Sequence, residues 1–354
     1  MSLIYRIKKR YNRTGLLSLA KSGQTIISSK IVNNLMFHHP SLCKNITPKL
    51  KSVAIELTNA CNLRCKTCVE VIREGNVKIG FIDIDLYKKI VDYLSDHYKG
   101  VNISLFFAGE SLLHKNFIEM VEYVASKNCF SDIGFNTNGM LLNDNIIDAI
   151  LKNNINVEFS LEGLANVNDN IRTGADFSKI SKNIIKLVTK RGDKKKPKIS
   201  IALTKSTQTN EEISEFICFF IKVVDEISVH PVWDEQLMLD ERFFDESETK
   251  YINFCTMPFN VLVIHWNGEV SACCRDLNNK LVVGNLAIST LKEIWRGESI
   301  KKLRYSCLKN NFPENSICST CDTEKISFVK KVEKFDYNLE VLYDGHFKYY
   351  SRSN

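Results

Sequence analysis

Nowhere does the sequence hold an apolar run of about 18 residues, the length a membrane-spanning helix needs. The longest apolar stretch near its start, around Leu16 to Ala20, is also too short for the apolar core of a secretion signal. Collagen-like composition, low-complexity tracts and solenoid-period repeats are missing too, which excludes fibrous and repeat architectures. Residues 1–50 contain no Asp or Glu, so whatever they do is done with positive charge. No Cys follows Cys321, and neither His nor Cys stands between Cys68 and His97. These two gaps limit which metals the cysteines can hold.

What is present is a chain of 354 residues, 44% hydrophobic and 25% charged, enough for one large domain and a small one. Of the net charge of +7, nine Lys and Arg lie in residues 1–50, so the remainder is nearly neutral. A body without a basic face is not built to grip phosphates, and no nucleic-acid partner is expected. The arm itself, MSLIYRIKKRYNRTG and onward, reads as an amphipathic helix docked on the body or left mobile. Its sharper reading is weak contact with an anionic membrane surface or with a partner. Twelve cysteines without a secretion signal point to a cytoplasmic protein that uses its thiols for something other than disulfides.

Between residues 51 and 231, short apolar runs alternate with amphipathic stretches. Strands are expected at Val53–Leu57, Ile103–Phe107, Ile133–Asn136, Val157–Leu161, Ile199–Leu203 and Glu226–His230. Helices are expected near 83–97, 115–127, 143–153, 176–190 and 210–223, with Asp83, Asn143 and Asn210 as N-caps. Such alternation implies a parallel sheet, either doubly wound or curved into a partial barrel, with its site beyond the C-terminal strand ends. The run RGDKKKPK at 191–198 reads as a solvated turn. Residues 232–254 read as a linker and 255–325 as a small cysteine-rich domain. Within that domain VLVIHWNGEVSACC forms a hairpin with Asn267-Gly268 at its tip. The tail, 326–354, carries no assignable pattern.

Directly after the first expected strand comes ELTNACNLRCKTC, which sets Cys61, Cys65 and Cys68 at CxxxCxxC spacing. Three thiolates so close can hold three corners of a [4Fe–4S] cube and leave the fourth iron open for chemistry. A structural zinc site would need a fourth ligand nearby, and none follows. Buried thiols acting as small hydrophobes would not explain three in a polar loop.

This segment resembles the signature of the radical S-adenosylmethionine (SAM) superfamily, whose core is a partial (β/α)6 barrel of the TIM type. One position departs from it: Thr67 stands where an aromatic residue often precedes the third Cys. The resemblance, over about residues 51–230, implies SAM bound at the open iron and cleaved reductively to a 5′-deoxyadenosyl radical. Phe107-Ala108-Gly109-Glu110-Ser111 resembles the family's Gly-Gly-Glu-Pro segment, which implies Gly109 and Glu110 at the SAM amino group. Asn136-Thr137-Asn138-Gly139 resembles its Thr-Asn-Gly turn and brings in Asn138. Ser160-Leu161-Glu162-Gly163 followed by Ile171-Arg172-Thr173-Gly174 resembles a further family pattern, implying Ser160 and Arg172 at the ribose and carboxylate of SAM.

The later cysteines supply four more thiolates: Cys255, then Cys273 four residues beyond Gly268, then Cys318-x-x-Cys321. Four saturate a cube and leave no open iron, while a zinc ribbon would take the same ligands. The pattern resembles the shortened SPASM or twitch domain of radical SAM enzymes, which implies one auxiliary [4Fe–4S] cluster. The Gly-x4-Cys spacing selects Cys273 over its neighbour Cys274. Cys43, Cys129, Cys218 and Cys307 read as structural thiols. Asp276 is a candidate proton acceptor, against a plainer role in stabilising a turn.

The resulting expectation is hydrogen abstraction from a substrate C–H bond, with oxidation or dehydrogenation assisted by the auxiliary cluster. A ferredoxin or flavodoxin would supply the electron. The short arm favours a small molecule or sugar as substrate; a peptide-modifying maturase is the alternative. A non-catalytic zinc-binding interaction protein and a cluster protein without SAM chemistry are the rival classes.

Overall fold

In a computed structural model, residues 47–68, 78–231, 255–274, 276, 279–314, 316–319, 321, 330–335, 339–344 and 347–352 are described. The arm up to residue 46, with Cys43, and the expected linker at 232–254 lie outside them. The first strands and helices alternate as β1 (Ser52–Ile55), α1 (Ile84–His97), β2 (Asn102–Ser104), α2 (Phe117–Ser126), β3 (Asp132–Thr137) and α3 (Asp144–Asn153). Then come β4 (Asn156–Ser160), α4 (Ala165–Ile171), α5 (Phe177–Arg191), β5 (Ile199–Lys205), α6 (Asn210–Phe220) and β6 (Glu226–Pro231). These six strands are parallel and stand side by side in chain order. Strictly sequential order is that of a barrel wall, since a doubly wound sheet reverses at a switch point. The first and last strands do not pair with each other, so the barrel is partial.

Each end of the wall is extended by the later chain. After the single turn α7 (Met257–Asn260), β7 (Val261–Ile264) pairs parallel with β1, from Ser52 opposite Val261 to Ile55 opposite Ile264. Strand β8 (Glu269–Ser271) and β9 (Val282–Asn285) continue it antiparallel, followed by α8 (Leu291–Arg296) and α9 (Glu298–Lys309). At the opposite edge β10 (Lys330–Phe335), β11 (Leu339–Asp344) and β12 (Phe347–Arg352) form an antiparallel meander whose last strand pairs with β6. The unassigned tail therefore covers an edge that would otherwise expose unpaired backbone groups.

Strand alternation sorts the wall into two faces. Val53, Ile55, Ile103, Phe135, Val157, Phe159, Ile199, Ile201, Leu203, Ile227 and Val229 are buried in the core. Against them pack the apolar stripes of the helices, such as Tyr87, Ile90, Val91 and Leu94 of α1. Each such side chain contributes about 1.5–3 kcal/mol by leaving water. The alternate positions are small or polar: Ala54, Ser104, Asn136, Glu158, Ser160, Ala202, Thr204, Ser228 and His230. That second face is the inner wall of the partial barrel.

Several local expectations need correction. Strands β1 and β2 stop at Ile55 and Ser104, short of the expected Leu57 and Phe107: Glu56 N and Leu105 N still donate to Ile264 O and Gly134 O, and beyond them the chain turns into loops. The N-cap of α6 is Thr209, not Asn210; Thr209 and Glu212 form a reciprocal capping box that satisfies two backbone N–H groups. Asp83 and Asn143 do cap α1 and α3. Arg191 is not part of a solvated turn: it is buried, donates to Pro197 O and pairs with Asp225. The hairpin tip is as expected, with Gly268 at φ +84°, a backbone state that favours glycine.

Candidate functional site: two thiol loops at the ends of the wall strands

The loop from Glu56 to Cys68 begins where β1 ends, and it is held from several sides. Asn59 exchanges two hydrogen bonds with residues 78–80, through Lys78 O and Gly80 N, and Thr58 Oγ1 donates to Gly80 O at 2.7 Å. Glu110 N donates to Ala60 O, and Asn138 Nδ2 donates to Asn62 Oδ1 at 2.8 Å. Arg64 N and Lys66 N donate to Thr173 O and Ile171 O. The segments after β1, β2, β3 and β4 thus meet around Cys61, Cys65 and Cys68.

Gly109 explains how two of these loops come so close. A Cβ there would lie 2.4 Å from Ala60 O and 2.5 Å from Thr58 O, both backbone atoms that cannot swing aside. Glu110, beside it, is buried and fully engaged by the protein: Thr137 Oγ1, Asn138 N and Leu112 N all donate to its carboxylate. Burial pushes its pKa up, against those three donors and the Arg172 charge. Its visible work is to lock the β3 turn, and with it Asn138, onto the thiol loop.

Arg172 and Glu162 form a buried ion pair at 2.9 Å, with side chains 13% and 3% exposed. Glu162 also accepts from Thr204 N. Burial raises the Glu162 carboxyl to about 7, although Arg172 and the Thr204 N–H oppose it. For Arg172 burial works against the charge, but Glu162, Cys65 and Cys68 outweigh it and hold the guanidinium ionised. Cys65 in turn is raised by burial and lowered by Arg172. Arg172 Nε is buried without an acceptor. An arginine facing two thiols with one N–H unused is a ready partner for a carboxylate. Ser160 ends β4 on the inner face opposite Ala202.

The second thiol set is assembled by the β7–β8 hairpin, α9 and the CxxC turn. Cys318 interacts electrostatically with Cys255, Cys321 and Asp276, and the thiol of Cys307 hydrogen-bonds Cys255 beside Cys273 and Cys318. Cys274 is exposed, and its thiol donates to Met257 Sδ, 3.7 Å away. Asp276 accepts from Lys280 N and Leu281 N, which is the turn-stabilising role. Among the described residues no three or more His, Cys, Asp or Glu side chains converge as a single metal ion would require. A cube, which spreads its ligands over four irons, makes no such demand.

Two family models match this chain: the radical SAM superfamily over residues 55–219, and SPASM, an iron–sulfur cluster-binding domain, over residues 255–322. The chain is a radical SAM enzyme. It binds SAM at a [4Fe–4S] cluster and carries auxiliary iron–sulfur in its SPASM domain, which sets aside the zinc-module and SAM-free readings. This radical SAM enzyme is 25% identical over 334 residues to the tungsten-containing aldehyde ferredoxin oxidoreductase cofactor-modifying protein of Pyrococcus furiosus, covering 80% of this chain and 91% of that one. Its fold is similar to Streptococcus suis SuiB bound to precursor peptide SuiA (TM-score 0.62, 16% identity, 91% of this chain and 84% of that one). It is also similar to BtrN in complex with AdoMet and 2-DOIA (TM-score 0.52, 19% identity, 78% and 95%).

Sequence reasoning missed three buried side chains that the structure places beside the two thiol loops or at the seam between them. Glu162 was seen only as part of a pattern, whereas it is the buried partner of Arg172. Cys307, read as a structural thiol, lies among Cys255, Cys273 and Cys318. His265 joins the seam between β1 and β7 by contacting Glu56 at 3.3 Å and Ser271 Oγ at 3.0 Å. Only the Cys307 residue type offered a signal, since its helix comes late in the cysteine-rich segment.

Proposed function

We propose that Cys61, Cys65 and Cys68 hold the SAM-binding cube. Gly109, Asn138, Ser160 and Arg172 receive the nucleoside, and Glu110 and Glu162 position them. Bound there, the cube would pass one electron to SAM, which would part into methionine and a 5′-deoxyadenosyl radical, chemistry that no side chain performs. The residues do the rest. Arg172 offers its unused Nε–H to the SAM carboxylate, and the Gly109 backbone closes on the loop that holds the thiols. The observation that carries this reading is the buried Arg172, whose Nε has no acceptor and whose guanidinium interacts electrostatically with Cys65 and Cys68.

For the substrate, the inner wall supports a small, hydroxyl-rich molecule such as a sugar or cyclitol. Its lining of Ser, Thr and Asn side chains offers donors and acceptors without a fixed charge pattern. Near its base Asn136 Nδ2 donates to Glu158, whose carboxyl burial raises. At its rim His230 contacts Ser228 Oγ at 2.7 Å, and burial lowers it to about 4, so it works there as a neutral ring. Oxidation of the substrate, with Cys255, Cys273, Cys318 and Cys321 holding the auxiliary cluster, remains the proposed outcome, fed by a ferredoxin or flavodoxin. The likeness to SuiB favours a peptide as the second reading.

The test is anaerobic reduction of reconstituted protein with SAM, following 5′-deoxyadenosine by chromatography. Formation by the unaltered chain and loss in Cys65→Ala and Arg172→Met are expected. Undiminished product in Arg172→Met would remove Arg172 from the site.

A further inference from the structure

Four thiolates saturate a cube, yet the auxiliary site gathers five thiols. The fifth, Cys307, lies in the last turn of α9 and is 1% exposed. Helix α9 packs against α7, whose single turn starts two residues after Cys255. That packing sets the Cys307 side chain in hydrogen-bond contact with Cys255, with Cys273 and Cys318 as its other thiol neighbours. Water does not reach it. A buried S–H beside a ligating thiolate has that sulfur as its natural acceptor.

We propose that Cys307 stays off the iron and donates an S–H···S hydrogen bond to Cys255, setting the reduction potential of the auxiliary cluster. The inference rests on the assignment of Cys255, Cys273, Cys318 and Cys321 as that cluster's ligands. A hydrogen bond to a ligating sulfur draws electron density off it and stabilises the more negative, reduced cube. Cys307 is therefore a positioning and tuning residue. Its loss moves the auxiliary midpoint to lower potential without emptying the site.

The experiment compares the unaltered, reconstituted full chain with Cys307→Ala, Cys307→Val, Cys307→Ser and Cys321→Ala. Iron and sulfide counts and potentiometric titration read by electron paramagnetic resonance are the measurements. The expected result is full iron in all three Cys307 variants and a lower auxiliary midpoint in Ala and Val. In Ser the hydroxyl donor brings the midpoint part of the way back, and Cys321→Ala loses one cube. An unchanged midpoint in both Ala and Val overturns the proposal. So does loss of a cube in Cys307→Ala with full retention in Cys321→Ala, which makes Cys307 a ligand. If the unaltered chain holds only one cube, the auxiliary-cluster reading itself fails, an outcome the iron count separates from the other two.

Discussion

At Gly109 one methyl group decides whether the thiol loop can seat. A Cβ 2.4 Å from Ala60 O must push the two loops apart, and a displacement near 1 Å at a reacting centre costs about 100-fold in rate. Gly109→Ala is expected to lower 5′-deoxyadenosine formation by about that factor, with a smaller loss of iron. Glu162 gives a pH test. Its carboxyl is raised from 4.5 to about 7, so the folded chain holds a proton that the unfolded chain releases between those values. The stability this group contributes is complete below about pH 4.5 and is lost as the pH rises through about 7. Thermal melts across that window should fall more steeply for the unaltered chain than for Glu162→Gln; parallel curves would refute the shift. The residues that family-like motifs pointed to, Gly109, Glu110, Asn138 and Arg172, do meet at one place. What the motifs could not convey is that Glu110 spends its carboxylate on Thr137, Asn138 and Leu112, because a hydrogen-bond partner 28 residues away leaves no periodic trace.

The six wall strands and five of the helices between them were legible, since apolar periodicity and N-caps such as Asp83 and Asn143 are local. The short α4 was not, because its seven residues ANVNDNI carry no apolar stripe. Pairing of β7 with β1 was equally hidden: it joins residues about 200 apart, and short apolar runs do not announce their neighbours. The seam between those strands is secured by His265, 1% exposed, between Glu56 and Ser271. His265→Leu leaves both groups buried without that partner, at about 1–3 kcal/mol each. Denaturant unfolding should show a loss of about 2–4 kcal/mol. A change under about 0.5 kcal/mol, as for an ordinary surface site, would mean that the seam is held otherwise.

Across the whole molecule a single sheet carries both thiol loops. Ser271 of β8 lies two residues before Cys273, and β1 leads through Glu56 into the loop of Cys61. Among the described residues, backbone ladders between β1, β7 and β8 join the strands next to the two sites. Cys318→Ala/Cys321→Ala should therefore lose one cube's iron while still cleaving SAM, and should fail to oxidise substrate; unchanged turnover and product would end the oxidative role. The most direct measurement concerns the first loop. Electron paramagnetic resonance of the reduced, reconstituted chain should show the spectrum of the Cys61–Cys65–Cys68 cube change when SAM is added, with 5′-deoxyadenosine appearing afterwards. An identical spectrum with and without SAM, and no deoxynucleoside, would contradict the account.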